Sequence, residues 1–432
     1  MDPLSPTYDA IVVGTGPGGA ATARALARSG ASVLVLEQGS AAPLTGTLGQ
    51  MATMAMPGRG AWLHRDASLL VSGTTVGGSS ALNFATAAAP PLAMFAAHGI
   101  DLAPPLAALR AELPLAPLPD RLVGPMAARL MTAAHAAGFA WEKLDKMIRP
   151  QACRSGCWRC VYGCPFGAKW SARDFVDAAC GHGAALLDRS RVLRVLMEDG
   201  RTAGVEFVRD GVRHTARAPL VVLAAGGIQS PRLLHASGLR PRHASFFSDP
   251  VVAVMGTVDD LDGGAEVPMA AGASFHAEGV SLADLALPRP MYQAFTLQAG
   301  RVDRMTAHAR TLGVMVKIRD DVGGSIGPRW VDKRLTRGDR ARFDRGIAMA
   351  RSILEEAGAH HVFATHHFAA HPGGSVPIGA AHGVDGALRA APGLHVCDAS
   401  VIPGAWGLPP TLTLLCLGEW LGDRLNNGAA SR

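Results

Sequence analysis

Three sets of residues in this 432-residue chain have the types and spacing to do chemistry: a glycine turn with a distal acid, a cysteine loop and a histidine cluster. The first is Gly14-x-Gly16-x-x-Gly19 with Glu37. Gly14 permits a tight turn, Gly16 lets backbone approach a pyrophosphate, and Gly19 lets a helix lie close to a strand. Glu37, 23 residues after Gly14, stands where a carboxylate accepts hydrogen bonds from adenosine ribose hydroxyls. The cysteine loop, Cys153-x3-Cys157-x2-Cys160-x3-Cys164-Pro165, is one residue longer than the Cys-x2-Cys-x2-Cys-x3-Cys-Pro run that ligates iron–sulfur clusters. Its four residues read as ligands of a [4Fe–4S] or [3Fe–4S] cluster, as two disulfides or a zinc site, or as free thiols. Cys180, Cys397 and Cys416 lie in apolar surroundings and read as packing residues. Six of the 16 histidines (360, 361, 366, 367, 371 and 382) fall within 23 residues. Most of these read as surface or packing residues, and only His367 and His371 have the spacing of a helix-borne metal pair.

The elements that must position these residues follow from the apolar pattern. Residues 10–13 and 32–36 are expected as strands, with a helix from the glycine turn to Ser29 between them. That order completes a unit for an ADP-containing cofactor, whose phosphates would meet the free N–H groups and positive dipole at the helix start. Residues 90–150 read as short helices broken by prolines, and 170–179 as a helix. A hairpin is expected around Asp199-Gly200, and a strand buried on both faces at 219–225. Strand-like runs at 251–258, 294–297 and 312–318 predict a largely antiparallel sheet. An amphipathic helix at 339–357, a strand at 394–397 and a closing helix at 411–426 complete the chain.

The fold class is therefore α/β. A Rossmann-like cofactor domain is assembled from discontinuous segments (1–90, 185–240 and 385–432). A Pro/Ala-rich helical insertion with the cysteine loop occupies 91–184, and an α+β substrate domain occupies 241–384. With 48% apolar and 18% charged residues the composition is globular, and no uncharged stretch is long enough for a membrane span. The net charge of +6 comes from scattered arginines without interleaved aromatics, which disfavours nucleic-acid binding. The first seven residues lack a basic leader, so a cytoplasmic location is expected.

Four motifs in one order carry a family resemblance: the glycine–helix–strand unit, Val76-Gly77-Gly78-Ser79-Ser80-Ala81-Leu82-Asn83, the run from Ala224-Ala225-Gly226-Gly227 to Ser237-Gly238, and His371-Pro372-Gly373-Gly374-Ser375 with Val396-Cys397-Asp398-Ala399-Ser400. The chain resembles the glucose/methanol/choline (GMC) family of FAD-dependent oxidoreductases from Tyr8 to Leu425, with little contribution from 90–150 and 241–335. The resemblance implies that Gly14, Gly16, Gly19 and Glu37 hold the ADP half, and that Gly77, Gly78, Ser79, Ser80 and Asn83 cover the pyrophosphate and flavin edge. Val192 would face adenine, Ala225 and Gly226 the pyrophosphate, and Asp398 with Ala399 the ribityl or phosphate region. Pro410, Thr411 and Leu412 would open a helix aimed at the flavin N1/O2 locus, where its dipole favours reduced flavin. Leu82 stands where covalent members carry histidine, which implies FAD held without a link at that residue.

By the same resemblance His371 is the general base that takes an alcohol's proton as hydride leaves for flavin N5. The family's second His or Asn is replaced by Pro409, which offers no side-chain donor or acceptor, so either another residue such as His366 or His367 supplies that group or the chemistry differs from simple alcohol oxidation. A subset of the family carries a cysteine-rich loop before Gly-Ala-Lys, matched by Gly167-Ala168-Lys169, and some members relay electrons through a cluster there. The expected function is oxidation of a rather apolar alcohol, with a protein or quinone as acceptor if the cluster is present and oxygen if it is not. The other readings are a flavoprotein devoted to electron transfer and a family fold used for other chemistry, such as photodecarboxylation.

Overall fold

The computed structural model describes residues 7–240 and 243–430. The segment before Thr7, in which the absence of a leader was read, lies outside the described residues, as do 241–242 at the start of the expected substrate domain and 431–432. Apolar runs of four residues build the first layer. Ala10–Val13 and Val33–Leu36 are buried along their whole length, and Leu220–Leu223 along most of it, as strands covered on both faces must be. They form a six-stranded sheet in the order Arg389–Ala391, Leu394–Val396, Leu220–Leu223, Ala10–Val13, Val33–Leu36, Ala185–Leu187. Every pairing is parallel except the first. The expected hairpin is the start of a three-stranded meander, Ser190–Glu198, Arg201–Arg209 and Val212–Arg217. Its first turn, Asp199-Gly200, has positive φ at both residues, the backbone a two-residue hairpin loop requires.

Two helices run side by side against the parallel sheet, Pro17–Arg28 and the closing helix Thr411–Ala430. Contacts at 18/418, 22/418, 24/419 and 29/426 rise together along both helices, so the two are parallel and both N-termini lie at one end. Their approach is closed by small residues. A Cβ at Gly418 would lie 2.5 Å from the Gly18 carbonyl oxygen, and one at Gly422 would lie 2.3 Å from Ala25 Cβ. The buried Arg24 guanidinium bonds Glu419 at 2.7 Å and lies over the Phe175 ring at 3.3 Å.

The second layer is a nine-stranded, mostly antiparallel sheet whose central strands are Pro250–Thr257, Thr311–Ile318 and Val280–Asp284. Its long strand alternates strictly. Leu312, Val314, Val316 and Ile318 join the core under the helices Pro125–Ala136 and Arg337–Glu356, while Met315 and Lys317 point to the opposite face. The helix Arg337–Glu356 starts two residues before the expected boundary because Thr336 and Asp339 form a capping box. The run at 294–297, expected as a strand, lies instead in the helix Arg289–Gln298. Pro290 in its first turn starts that helix, and Met291 and Phe295, four apart, give it one apolar face. No helix among the described residues is long and apolar enough to cross a membrane.

Replacing Gly418 by Val should cost about 1–3 kcal/mol of stability, because the branched side chain meets backbone that cannot yield. A urea-unfolding midpoint equal to that of the parent would contradict the packing described.

Candidate active site

One cavity of about 1140 Å³ runs from the glycine turns of the parallel layer to the apolar face of the antiparallel sheet. The start of each of three helices lines it: Gly16 and Pro17, Gly226 and Gly227, and Thr411. The first has no side-chain cap, so its first-turn N–H groups and dipole are offered to whatever fills the cavity, whereas at the second Gly226 N is taken by the Asp398 carboxylate. Glycine is required where the turns meet. Gly14 has φ +99°, and a Cβ there would sit 2.3 Å from the Ala224 carbonyl oxygen, while a Cβ on Gly78 would sit 3.0 Å from Gly16 Cα.

Glu37 ties these turns together. Its Oε2 accepts from Thr15 N (3.0 Å) and Thr15 Oγ1 (2.7 Å), its Oε1 accepts from Gly39 N (2.8 Å), and Gly77 N donates to Thr15 Oγ1 (3.0 Å). Burial pushes the Glu37 carboxyl above the usual carboxylate range, and the Thr15 hydroxyl is the main opposing influence. Asp398 does the same job at the second helix start, accepting from Gly226 N (2.9 Å), Ser400 N (2.8 Å) and the Ser230 hydroxyl. Burial raises its pKa also.

Of the residues expected at the site, Gly14, Gly16, Glu37, Gly78, Ser79, Ser80, Asn83, Val192, Ala225, Gly226, Asp398, Ala399, Pro410, Thr411 and His371 wall the cavity. Gly19, Gly77 and Leu412 stand behind the wall. A Cβ on Gly19 would meet the Gly14 oxygen at 2.2 Å, which is the close helix–strand approach read from the motif, and Leu412 is buried in the core. The glycine cradle, the helix starts and the volume together fit a dinucleotide.

His367 does not reach the cavity wall. Its Nε2 lies 3.4 Å from Asp66 Oδ2 and its ring lies near Phe343, where burial holds its pKa down at about 4. His366 Nε2 is engaged with the Asp66 carbonyl oxygen at 3.0 Å. These three residues form the one close group of metal-ligand type among the described residues, and it is not the His367/His371 pair. Neither histidine therefore replaces the group missing at Pro409, because both are turned to the Asp66 turn.

All seven cysteines are free, so the disulfide reading of the cysteine loop is not realised. Burial pushes the Cys153 thiol up to about 11 and raises Cys160. What holds the loop is a cation that the motif reading left without a role. The buried Lys169 ammonium donates to the carbonyl oxygens of Ser80 (3.0 Å), Ala81 (2.7 Å), Asn83 (3.0 Å) and Cys160 (3.0 Å), joining the loop to the Gly77-Gly78 segment. Val161, beside Cys160, reaches the cavity wall.

Toward the antiparallel sheet the walls are apolar, with Trp62, Phe84, Leu285, Met291, Met315 and Phe368 prominent. His371 stands in this wall with Nδ1 buried, which leaves Nε2 as the nitrogen open to the cavity. Two buried charged residues accompany it, Asp249 and Lys317, and both escaped the sequence reading. The signal for Lys317 was a lone cation in the apolar run 312–318; Asp249, between Ser248 and Pro250, carried none.

The model of the GMC oxidoreductase family matches residues 8–254 with its N-terminal part and 324–418 with its C-terminal part. The chain belongs to the GMC oxidoreductases. An uncharacterised GMC-type oxidoreductase of Mycobacterium tuberculosis is 29% identical over 489 residues, covering 96% of this chain and 75% of the relative. A long-chain-alcohol oxidase of Arabidopsis thaliana is 25% identical, covering 96% of this chain and 66% of that protein. The crystal structure of pyridoxine 4-oxidase from Mesorbium loti superimposes with a TM-score of 0.75 at 18% identity, over 97% of this chain and 99% of the other, which shows a shared fold. The parallel layer with its cavity-facing helix starts and the antiparallel sheet behind the apolar wall are thus the two layers of this GMC oxidoreductase.

Burial holds Lys169 at about 8, well below an ordinary lysine, so between about pH 8 and pH 10 the unfolded chain carries a proton there that the folded chain lacks. Stability from this residue therefore rises with pH across that window. The stability difference between the parent and Lys169→Met should move in the parent's favour from pH 8 to pH 10 in chemical unfolding, and a pH-independent difference would contradict the assignment.

Proposed function

We infer that this GMC oxidoreductase carries FAD and oxidises the carbinol carbon of an apolar alcohol, with His371 as general base. GMC oxidoreductases are FAD-binding enzymes, and the residues present suit that group. Gly14, Gly16, Ala225 and Gly226 offer backbone to the pyrophosphate, the helix starts favour its negative charge, and Glu37 faces the cavity where a ribose would lie. Leu82, also in the wall, has no atom to form a covalent link. When bound, FAD supplies a two-electron acceptor at flavin N5 for the hydride leaving the alcohol carbon.

The chain's own part is to position, to dry and to move one proton. The apolar wall excludes water and favours a substrate with a hydrocarbon body, which accords with a relative named for long-chain alcohols. His371 Nε2 takes the hydroxyl proton as the carbonyl product forms, a role that suits an imidazole between the polar and apolar parts of one cavity. That placement of His371 is the observation that carries the reading.

The test is anaerobic reduction of the bound flavin by a long-chain primary alcohol. His371→Gln should slow it by about 10²–10⁴-fold while dithionite still reduces the flavin at the parental rate. Reduction by alcohol at an unchanged rate in the variant would remove His371 from this role.

A further inference from the structure

We propose that Asp249 is a positioning residue that fixes the tautomer of His371, placing the proton on Nδ1 and leaving Nε2 free to accept. The inference rests on the reading of His371 as the base. Two chain segments are stapled so that these side chains must face each other. Phe247 N donates to Gly373 O (2.9 Å), Gly373 N to Phe247 O (3.0 Å), and His371 N to Ser248 O (3.3 Å). Asp249 Oδ2 then lies 3.5 Å from His371 Nδ1. Both atoms are buried, and neither has a hydrogen-bond partner. Two buried polar atoms without partners facing one another are costly unless they serve each other, and catalytic hydrogen bonds often shorten only when substrate binds.

The rest of Asp249 is already committed. Its Oδ1 accepts from Gly407 N at 2.7 Å, and its backbone sits at φ +48°, a conformation that Asp and Asn tolerate. A cation stands near this carboxylate. Lys317, buried and lining the same cavity, is attracted to Asp249 and has no hydrogen bond or ion pair of its own among the described residues. Asp320, the other carboxylate beneath the pair, is engaged by Lys333 at 2.7 Å and by Ser248 N and Asp249 N. With Pro409 offering no polar side chain, the carboxylate behind His371 is the group that can order the base.

The variant Asp249→Asn separates this role from packing. Its carbonyl can keep the Gly407 bond and its backbone the same conformation, but its amide N–H₂ then faces Nδ1 and forces the proton to Nε2. ¹⁵N NMR of histidine-labelled holoprotein, with His371 identified through His371→Gln, reads the tautomer directly. The expected result is Nδ1–H in the parent and Nε2–H in Asp249→Asn. With it should come a fall in kcat of at least about 10²-fold and little change in KM, since the matching substitution in a Ser-His-Asp triad costs about 10⁴. An Nε2–H imidazole in the parent, an unchanged tautomer in the variant, or an unchanged kcat overturns the proposal. If Asp249→Asn fails to fold, the parent's tautomer decides alone. If no alcohol reduces the parent's flavin, the proposed oxidation falls while the NMR result still decides the pairing.

Discussion

Two parallel helices packed side by side, one from each end of the chain, set the position of everything else in this protein. Their dipoles point the same way and so repel, and the approach survives because glycine at 418 and 422 lets the helices come close and because Arg24 and Glu419 form a buried ion pair between them. The consequence is two positive helix ends facing one cavity, joined there by the start of Gly226–Ala236. Such a site favours negative charge, and the pyrophosphate of the proposed cofactor would meet it there.

The antiparallel sheet supplies the other half by register. On Thr311–Ile318 alternate side chains either pack under the helices or face the cavity, so a slip of one residue would send Lys317 into the core and Val316 into the site. Pairing of Val251 with Lys317 places the start of Pro250–Thr257, and hence Asp249, beside that cation. The bridge between Phe247 and Gly373 then brings His371 to the same point from a distant part of the chain. Charge at the site is therefore placed by β-pairing over long sequence separations.

This division explains what could be read from the sequence. Gly14, Gly16, Gly19 and Glu37 were legible because a nucleotide-binding turn forces glycines and an acid into fixed local spacing, and the parallel strands because burial on both faces leaves unbroken apolar runs. His371 was legible only through the residues around it. Asp249 and Lys317 were not, since what makes them matter is a partner 122 residues away for Asp249 (His371) and 68 residues away for Lys317 (Asp249). The helix Arg289–Gln298 was misread because 294–297, taken without Pro288 and Pro290, looks like a strand. The tie from the cysteine loop to the Gly77-Gly78 segment was not legible either, since Lys169 meets the carbonyl oxygens of Ser80 and Asn83 more than eighty residues away.

The most direct measurement of the central claim is the flavin content of the purified chain before and after denaturation. The geometry predicts close to one FAD per chain, released intact into solution when the protein is unfolded, because Leu82 offers no atom for a link. A colourless protein that takes up no added FAD would contradict the cradle itself, and flavin that stays with the denatured chain would contradict the way it is held.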